Sequence, residues 1–225
     1  MNVLGVIPAR GGSKGIPLKN LTPLNGKPLL YYTVKASMDS EIINRTVVST
    51  DNSLISKVAT QLGADVILRP KRLSNDTVTL EPVIFHILNT LQKKEDYLPD
   101  VIVLLQNTSP LRTATHIDEA LNKLKNEKLD SILSVCETHS FVWKIQNKTI
   151  KPLNYNPLKR PNRQDMEKFF QENGAIYATK YSSFINSSCR ISGRIGFYKM
   201  PVELSYQIDT PHDLFLIEQL MKKNK

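Results

Sequence analysis

The stretch Val3-Leu4-Gly5-Val6-Ile7-Pro8-Ala9-Arg10-Gly11-Gly12-Ser13-Lys14-Gly15-Ile16-Pro17-Leu18-Lys19-Asn20 decides how this chain is read. Residues 3–8 are apolar and short, as a strand buried on both faces requires. The next residues are glycine-rich and basic. Paired glycines let backbone N–H groups approach an anion closely. Arg10 can hold two phosphate oxygens at once, while Lys14 and Lys19 add point charges. The loop is neither the GxxxxGK[ST] phosphate loop nor the GxGxxG dinucleotide fingerprint. Chemistry alone therefore leaves two readings open: an anion-binding loop, or a turn with solvated charges.

Outward from this segment the pattern repeats. Residues 27–38 read as a helix, 45–49 as a β-branched strand, and 51–62 as a capped helix ended by Gly63. Asp51 and Ser53 are the cap candidates. Residues 65–68 form a third strand and 79–93 a further helix. Asp100–Leu105 is a continuous apolar strand, so helices should cover both its faces. A helix at 115–125, strands at 131–135 and 174–179, and a helix at 211–222 complete the series. Alternation of this kind predicts an α/β fold with a mainly parallel, doubly wound sheet. Between 138 and 171 the rhythm breaks into prolines, aromatics and polar residues, too long for an ordinary connection. The expected organisation is one domain over 1–225 with a lobe inserted at 138–171.

Composition narrows the functional classes. The 225 residues carry 30 Lys plus Arg against 21 Asp plus Glu, a formal charge of +9. The excess is scattered, and no zinc finger, RNP-type motif or recognition helix accompanies it, so no nucleic-acid partner is expected. A polyphosphate substrate fits better, since several basic residues follow strands directly. No apolar run reaches membrane-spanning length and the N-terminus has no secretion signal, so no membrane association and a cytoplasmic location are expected. Cys136 and Cys189 offer no disulfide framework or zinc spacing. Histidines 86, 116 and 212 sit at unrelated spacings and imply no metal cluster.

The segment "IPARGGSKGIPLKN" resembles the N-terminal signature of the CMP–sialic acid synthetases, cytidylyltransferases for nonulosonic acids. The resemblance extends over nearly the whole chain. It includes Val48-Ser49-Thr50-Asp51, Arg69-Pro70, the segment around Asp76-Thr77, and Leu105-Gln106-Asn107-Thr108-Ser109-Pro110-Leu111-Arg112. It continues through Arg163-Gln164-Asp165, Glu172-Asn173-Gly174-Ala175-Ile176-Tyr177 and Ile208-Asp209-Thr210-Pro211.

The resemblance implies a Rossmann-like nucleotidyltransferase fold and a homodimer whose 138–171 lobe reaches toward the partner's site. It also implies a Mg²⁺-dependent reaction. The anomeric hydroxyl of an acidic nine-carbon sugar, such as N-acetylneuraminic or legionaminic acid, attacks the α-phosphate of CTP and pyrophosphate leaves. Pseudaminic acid, another acid sugar, or a nucleotide-binding regulator without turnover are the alternatives.

Residue by residue, the resemblance places Arg10, Lys14, Lys19 and Asp209 in catalysis. Arg10, Gly11, Gly12, Ser13, Lys14, Asn20, Arg69, Thr77 and Thr79 fall on the nucleotide. Gln106, Arg112, Arg163, Gln164, Asn173 and Tyr177 fall on the sugar. Asp209 is the expected metal ligand. Many relatives carry Asp-Ile-Asp here, two carboxylates on one strand face, whereas this chain has Gln207-Ile208-Asp209. Asp213 is expected to cap the last helix. No general base stands out.

Overall fold

In the computed structural model, which describes residues 1–223, the apolar runs form a seven-stranded sheet. The strands are β1 (Val3–Pro8), β4 (Arg45–Thr50), β5 (Asp65–Leu68), β6 (Val101–Leu104), β7 (Ser131–Thr138), β10 (Phe169–Lys180) and β11 (Ile195–Lys199). Their spatial order is β11-β7-β10-β6-β1-β4-β5. β1 runs parallel to β4 and β6, β4 to β5, and β7 to β11. Only β10 is reversed, pairing antiparallel with β6 and β7. The sheet is thus mainly parallel, as the alternation of strands and helices requires.

Alternate residues of the central strands enter separate cores. Val101 and Val103 of β6 join a cluster with Leu30 and Val34 of α1 (Leu29–Met38), Ile55 of α2 (Ser53–Gln61), and Ile117 and Leu121 of α4 (Ala114–Asn126). Ile102 and Leu104 face the other way, onto Ile84, Ile87 and Leu88 of α3 (Leu80–Glu95) and Phe184 of α5 (Tyr181–Ser187). Helices therefore cover both faces. A third cluster joins Ile217 of α6 (Pro211–Lys223) to Ile208, Leu24 and Leu29. This last packing brings the C-terminal segment back beside the N-terminal loop. Residues 224 and 225 of the expected 1–225 span lie outside the described residues.

Several boundaries differ from the sequence reading. Pro28 belongs not to the helix but to β3 (Lys27–Pro28), which pairs with β2 (Pro23–Leu24). Asn52, rather than Asp51 or Ser53, caps α2, its side chain accepting from the N–H groups of Leu54 and Ile55. α5 and β11 are additional elements. Residues 169–173 extend β10 beyond the expected strand, because Phe169 to Glu172 pair with Thr138 to Val135 of β7. The pairing shifts register between Glu172 and Tyr177, and Gly174 there has φ +67°.

The 138–171 segment leaves and re-enters the sheet on that ribbon. It contains a hairpin, β8 (Trp143–Gln146) and β9 (Thr149–Pro152). Its two-residue turn, Asn147-Lys148, has φ 49° and 64°, the left-handed pair that matches strand twist in a tight hairpin. Ile145, Ile150, Leu153 and Leu158 are all exposed on this segment.

No helix among the described residues is long and apolar enough to cross a membrane. Leu104, 1% exposed, tests the central layer. Leu104→Ala should destabilise the protein by about 3 kcal/mol, read as a lowered urea midpoint with an unchanged slope.

Candidate active site

The carboxyl ends of β1 and β6 lie side by side, and the cleft opens above them, where open α/β sheets place their ligands. It encloses about 370 Å³ and is lined by Arg10, Gly12, Ser13, Lys19, Asn20, Arg69, Thr79, Gln106 and Asp209, together with Asn75, Asp76, Asn107 and Gln207. Three loops, after β1, β5 and β6, and the segment before α6 build it.

The N-terminal loop is held open from several sides. The Gly11 N–H donates to Asp51 Oδ1 at 2.9 Å. A Cβ on Gly11 would lie 2.9 Å from Asn52, so the loop can approach the α2 cap only because this residue is glycine. The Asn20 amide, 8% exposed, donates to the Arg10 carbonyl at 2.9 Å. Asn20 thus shapes the loop from within as well as facing the cleft. Gly15 passes against the Asp209 carbonyl oxygen, where a Cβ would collide.

Charge is concentrated here. Arg10 Nη1 lies 2.6 Å from Asp76 Oδ1, and Lys14 Nζ lies 3.0 Å from Asp76 Oδ2. The two cations hold the Asp76 carboxyl below the usual carboxylate range, the Lys14 hydrogen bond contributing most. Lys19 Nζ donates to the Ile208 carbonyl at 2.8 Å and to Asp209 Oδ1 at 2.9 Å. Arg69 is 7% exposed, and its Nε has no hydrogen-bond partner. Burial lowers its guanidinium pKa, with Asp51 working in the opposite direction. An unpartnered donor in a buried wall is a ready contact for a polar ligand.

Gln106 and Gln207 meet at Gly174. A Cβ on Gly174 would lie 2.6 Å from Gln106 Oε1 and 3.1 Å from both terminal atoms of Gln207. Two neutral amides therefore converge on this part of the wall, offering both donors and acceptors. Residues 207–209 join no sheet, contrary to the strand expected there. Ile208 N–H donates to the Thr108 carbonyl at 2.8 Å. The alternation still holds: Ile208 is buried while Gln207 and Asp209 line the cleft. Asp213 Oδ2 accepts from the N–H groups of Asp209 and Thr210 and from the Thr210 hydroxyl. These bonds, led by that from Asp209, depress its pKa. Asp213 is therefore the cap at the start of α6, and it fixes the backbone from which Asp209 projects.

Not every sequence-selected residue reaches the cleft. Thr77 is exposed and does not line it. Arg112 is 2% exposed; its Nη1 donates to the carbonyls of Gln106 and Ala175 at 3.2 and 2.8 Å. Burial without a carboxylate partner pulls its pKa down to about 9. It braces the backbone behind Gln106.

Asn173 is likewise internal, bonded to Ser134 Oγ at 2.6 Å and Ser205 Oγ at 3.0 Å. The Tyr177 hydroxyl donates to Glu172 Oε2 at 2.9 Å. Burial, followed by that bond, pushes the Tyr177 pKa up to about 12. Arg163 and Gln164 lie on the inserted lobe, both exposed. Arg163 borders a separate depression with Glu137, His139 and Lys199. Sequence reasoning passed over Asp76, Asn75 and Gly174 as site residues. The glycine within Glu172-Asn173-Gly174 was the one available signal.

The fold is that of an α/β nucleotidyltransferase, and the cleft at the carboxyl ends of its strands is basic and polar. A cytidylyltransferase family profile matches residues 4–225, and the chain belongs to that family. It is 36% identical over 224 residues to "N-acylneuraminate cytidylyltransferase A" of Danio rerio, covering 97% of this chain and 50% of that protein. It is 30% identical over 218 residues to an N-acylneuraminate cytidylyltransferase of Streptococcus agalactiae, covering 95% and 52%. The chain thus spans about half the length of these relatives. Among solved structures, CMP:2-keto-3-deoxy-manno-octonic acid synthetase complexed with CTP superposes with a TM-score of 0.71 at 19% identity, over 100% of both chains. That likeness concerns the fold.

Gly15→Ala should displace the Asp209 backbone from Lys19. We expect kcat/KM in a CTP-dependent assay to fall about 10²-fold with an unchanged far-UV circular dichroism spectrum.

Proposed function

We propose that the chain transfers CMP from CTP to the anomeric hydroxyl of a nine-carbon α-keto acid sugar of the N-acylneuraminate type. The observation that carries this reading is the joining, in one cleft, of the basic N-terminal loop, the buried Arg69 and the polar wall of Gln106. The N-acylneuraminate cytidylyltransferases that match 95% or more of the chain supply the acceptor class.

In this reading Arg10, Lys14 and Lys19 take the triphosphate, with Gly11, Gly12 and Ser13 bringing backbone close to it. Asn20, Arg69 and Thr79 serve the nucleoside side. The sugar hydroxyl oxygen forms a bond to the α-phosphorus, the bond from that phosphorus to the bridging oxygen breaks as pyrophosphate leaves with it, and the hydroxyl proton passes to water. Cations fixed beside the phosphates stabilise the charge that moves onto the leaving pyrophosphate. Because the loop is held by Asp51 and Asn20 before substrate arrives, little reorganisation is needed at that moment. Gln106 reads the acceptor, while Arg112 and Asn173 hold its surroundings in place.

A magnesium ion fits this site. Asp209 is a hard oxygen donor at the cleft; its Oδ1 is shared with Lys19, and 69% of the side chain is exposed. No group of three His, Cys, Asp or Glu side chains suited to a metal occurs among the described residues. Asp209 would therefore hold the ion jointly with phosphate oxygens and water. Bound there, magnesium would supply neutralisation of phosphate charge. Gln207, turned toward Gly174 and neutral, stays on the sugar side.

Pyrophosphate release with CTP, Mg²⁺ and a panel of acid sugars tests the reading. N-acetylneuraminic acid or another nonulosonic acid should support turnover, and Arg10→Ala should lower kcat/KM about 10²- to 10³-fold. Turnover only with an eight-carbon acid, or CTP binding without turnover on any acid, would overturn it.

We propose further that the 138–171 lobe is a dimerisation arm carrying Arg163 and Gln164 toward the partner's site. The support is the number of apolar side chains it exposes, Ile145 at 78% and Leu158 at 93% together with Ile150 and Leu153. Sedimentation at micromolar concentration should show a dimer, and a Leu158→Asp, Ile145→Asp variant should sediment as a monomer.

A further inference from the structure

The phosphate clamp already holds an anion from its own chain. Asp76 lies on the loop between β5 and α3, more than sixty residues from Arg10 in sequence. Its two carboxylate oxygens are divided between the two clamp cations, Oδ1 at 2.6 Å from Arg10 Nη1 and Oδ2 at 3.0 Å from Lys14 Nζ. A carboxylate shared in this way occupies the donors that a phosphate would use. Arg10 Nη1 also reaches the Ser74 carbonyl at 3.5 Å, so the same short loop engages the guanidinium twice. Asn75, Asp76, Val78 and Thr79 all line the cleft. The Asp76 side chain makes no other hydrogen bond or ion pair among the described residues.

We infer that Asp76 is a displaceable counter-anion, which keeps Arg10 and Lys14 ordered in the empty site and is expelled when the triphosphate arrives. The inference rests on the reading of Arg10 and Lys14 as the triphosphate clamp and adds a cost and a motion to it. The two contacts must be exchanged for phosphate contacts. Asp76 then faces a ligand of its own sign, so its side chain turns away from the two cations as phosphate enters. The device acts against the phosphates alone and leaves nucleoside recognition at Arg69 unaffected. It favours ligands with enough negative charge to outcompete a carboxylate, which separates a triphosphate from a monophosphate.

Calorimetric binding of inorganic tripolyphosphate, CTP and cytidine to the wild type, Asp76→Asn and Asp76→Ala tests this. Asp76 is partly exposed, with 39% of its side chain accessible, so both variants should fold. Partly exposed ion pairs are individually weak, and the expected gain is about three- to tenfold tighter binding of tripolyphosphate and CTP by both variants. Cytidine affinity should not change.

Unchanged or weaker tripolyphosphate binding in both variants would overturn the inference and leave the clamp reading standing, provided Arg10→Ala weakens that binding. An equal gain for cytidine would also overturn it, since the effect would then come from a reshaped cleft. If Arg10→Ala leaves tripolyphosphate binding unchanged, the clamp reading falls, and the inference with it.

Discussion

Arg10, Lys14, Lys19 and Arg69 bring four positive charges to the mouth and walls of one cleft, and like charges so gathered repel. The arrangement persists in the folded chain because carboxylates from separate parts of the sequence offset it. Asp76 serves Arg10 and Lys14, Asp209 serves Lys19, and Asp51 acts on Arg69. Each carboxylate is anchored by a different element. Asp51 follows β4, Asp76 lies on the loop after β5, and Asp209 precedes α6, its backbone N–H held by Asp213. The cations are thus what the loops gather around, and the loops are what give the cleft its walls. Lys19 shows the reach of this constraint. Its two bonds, to the Ile208 carbonyl and the Asp209 carboxylate, span about 190 residues of sequence, and they sit directly over the third hydrophobic cluster, where Ile208 is buried.

The strands that carry these loops differ in how clearly the sequence announces them. β1 and β6 are unbroken apolar runs, and burial on both faces leaves no other reading. β10 is less legible, because only its second half, from Ala175 onward, is apolar and buried. Phe169 to Glu172 are polar or half-exposed, and they are strand only because β7 pairs with them. β11 alternates exposed and half-buried residues at the sheet edge, a pattern indistinguishable from loop without its neighbour. α5 has seven residues, too few for a helical period to register.

The cleft itself was legible to the extent that its residues sit in local motifs. Arg10, Lys19, Asn20, Arg69, Gln106 and Asp209 are all brought together there. Residue type misled where burial decides the role. Arg112 and Asn173 have the chemistry of ligand contacts, yet each is turned inward, bonded to backbone or to neighbouring side chains. A sequence cannot say which way a polar residue after a strand will turn. That depends on whether an unpaired carbonyl lies behind it, and the Ala175 carbonyl at the β10 register shift supplies one for Arg112. Asp76 was missed for the opposite reason: its partners follow β1 while it follows β5, two helices and two strands of the main sheet later in the chain, and no local spacing announces an ion pair across them.

The amide wall follows from the same register shift. The irregularity between Glu172 and Tyr177 places Gly174 in a left-handed conformation and removes a side chain from the sheet's end. Gln106 and Gln207 fill the space so released, one from the loop after β6 and one from the segment before α6. Gln207 is thereby committed to the wall by contacts with Gly174, while two residues on, Asp209 is committed to Lys19. The cleft thus divides into a side of paired charges, at Arg10, Lys19 and Asp209, and a side of two amides, Gln106 and Gln207. The division needs no further group to explain it, since each half is fixed by backbone: Gly15 passing Asp209 on one side, Gly174 passing the two glutamines on the other.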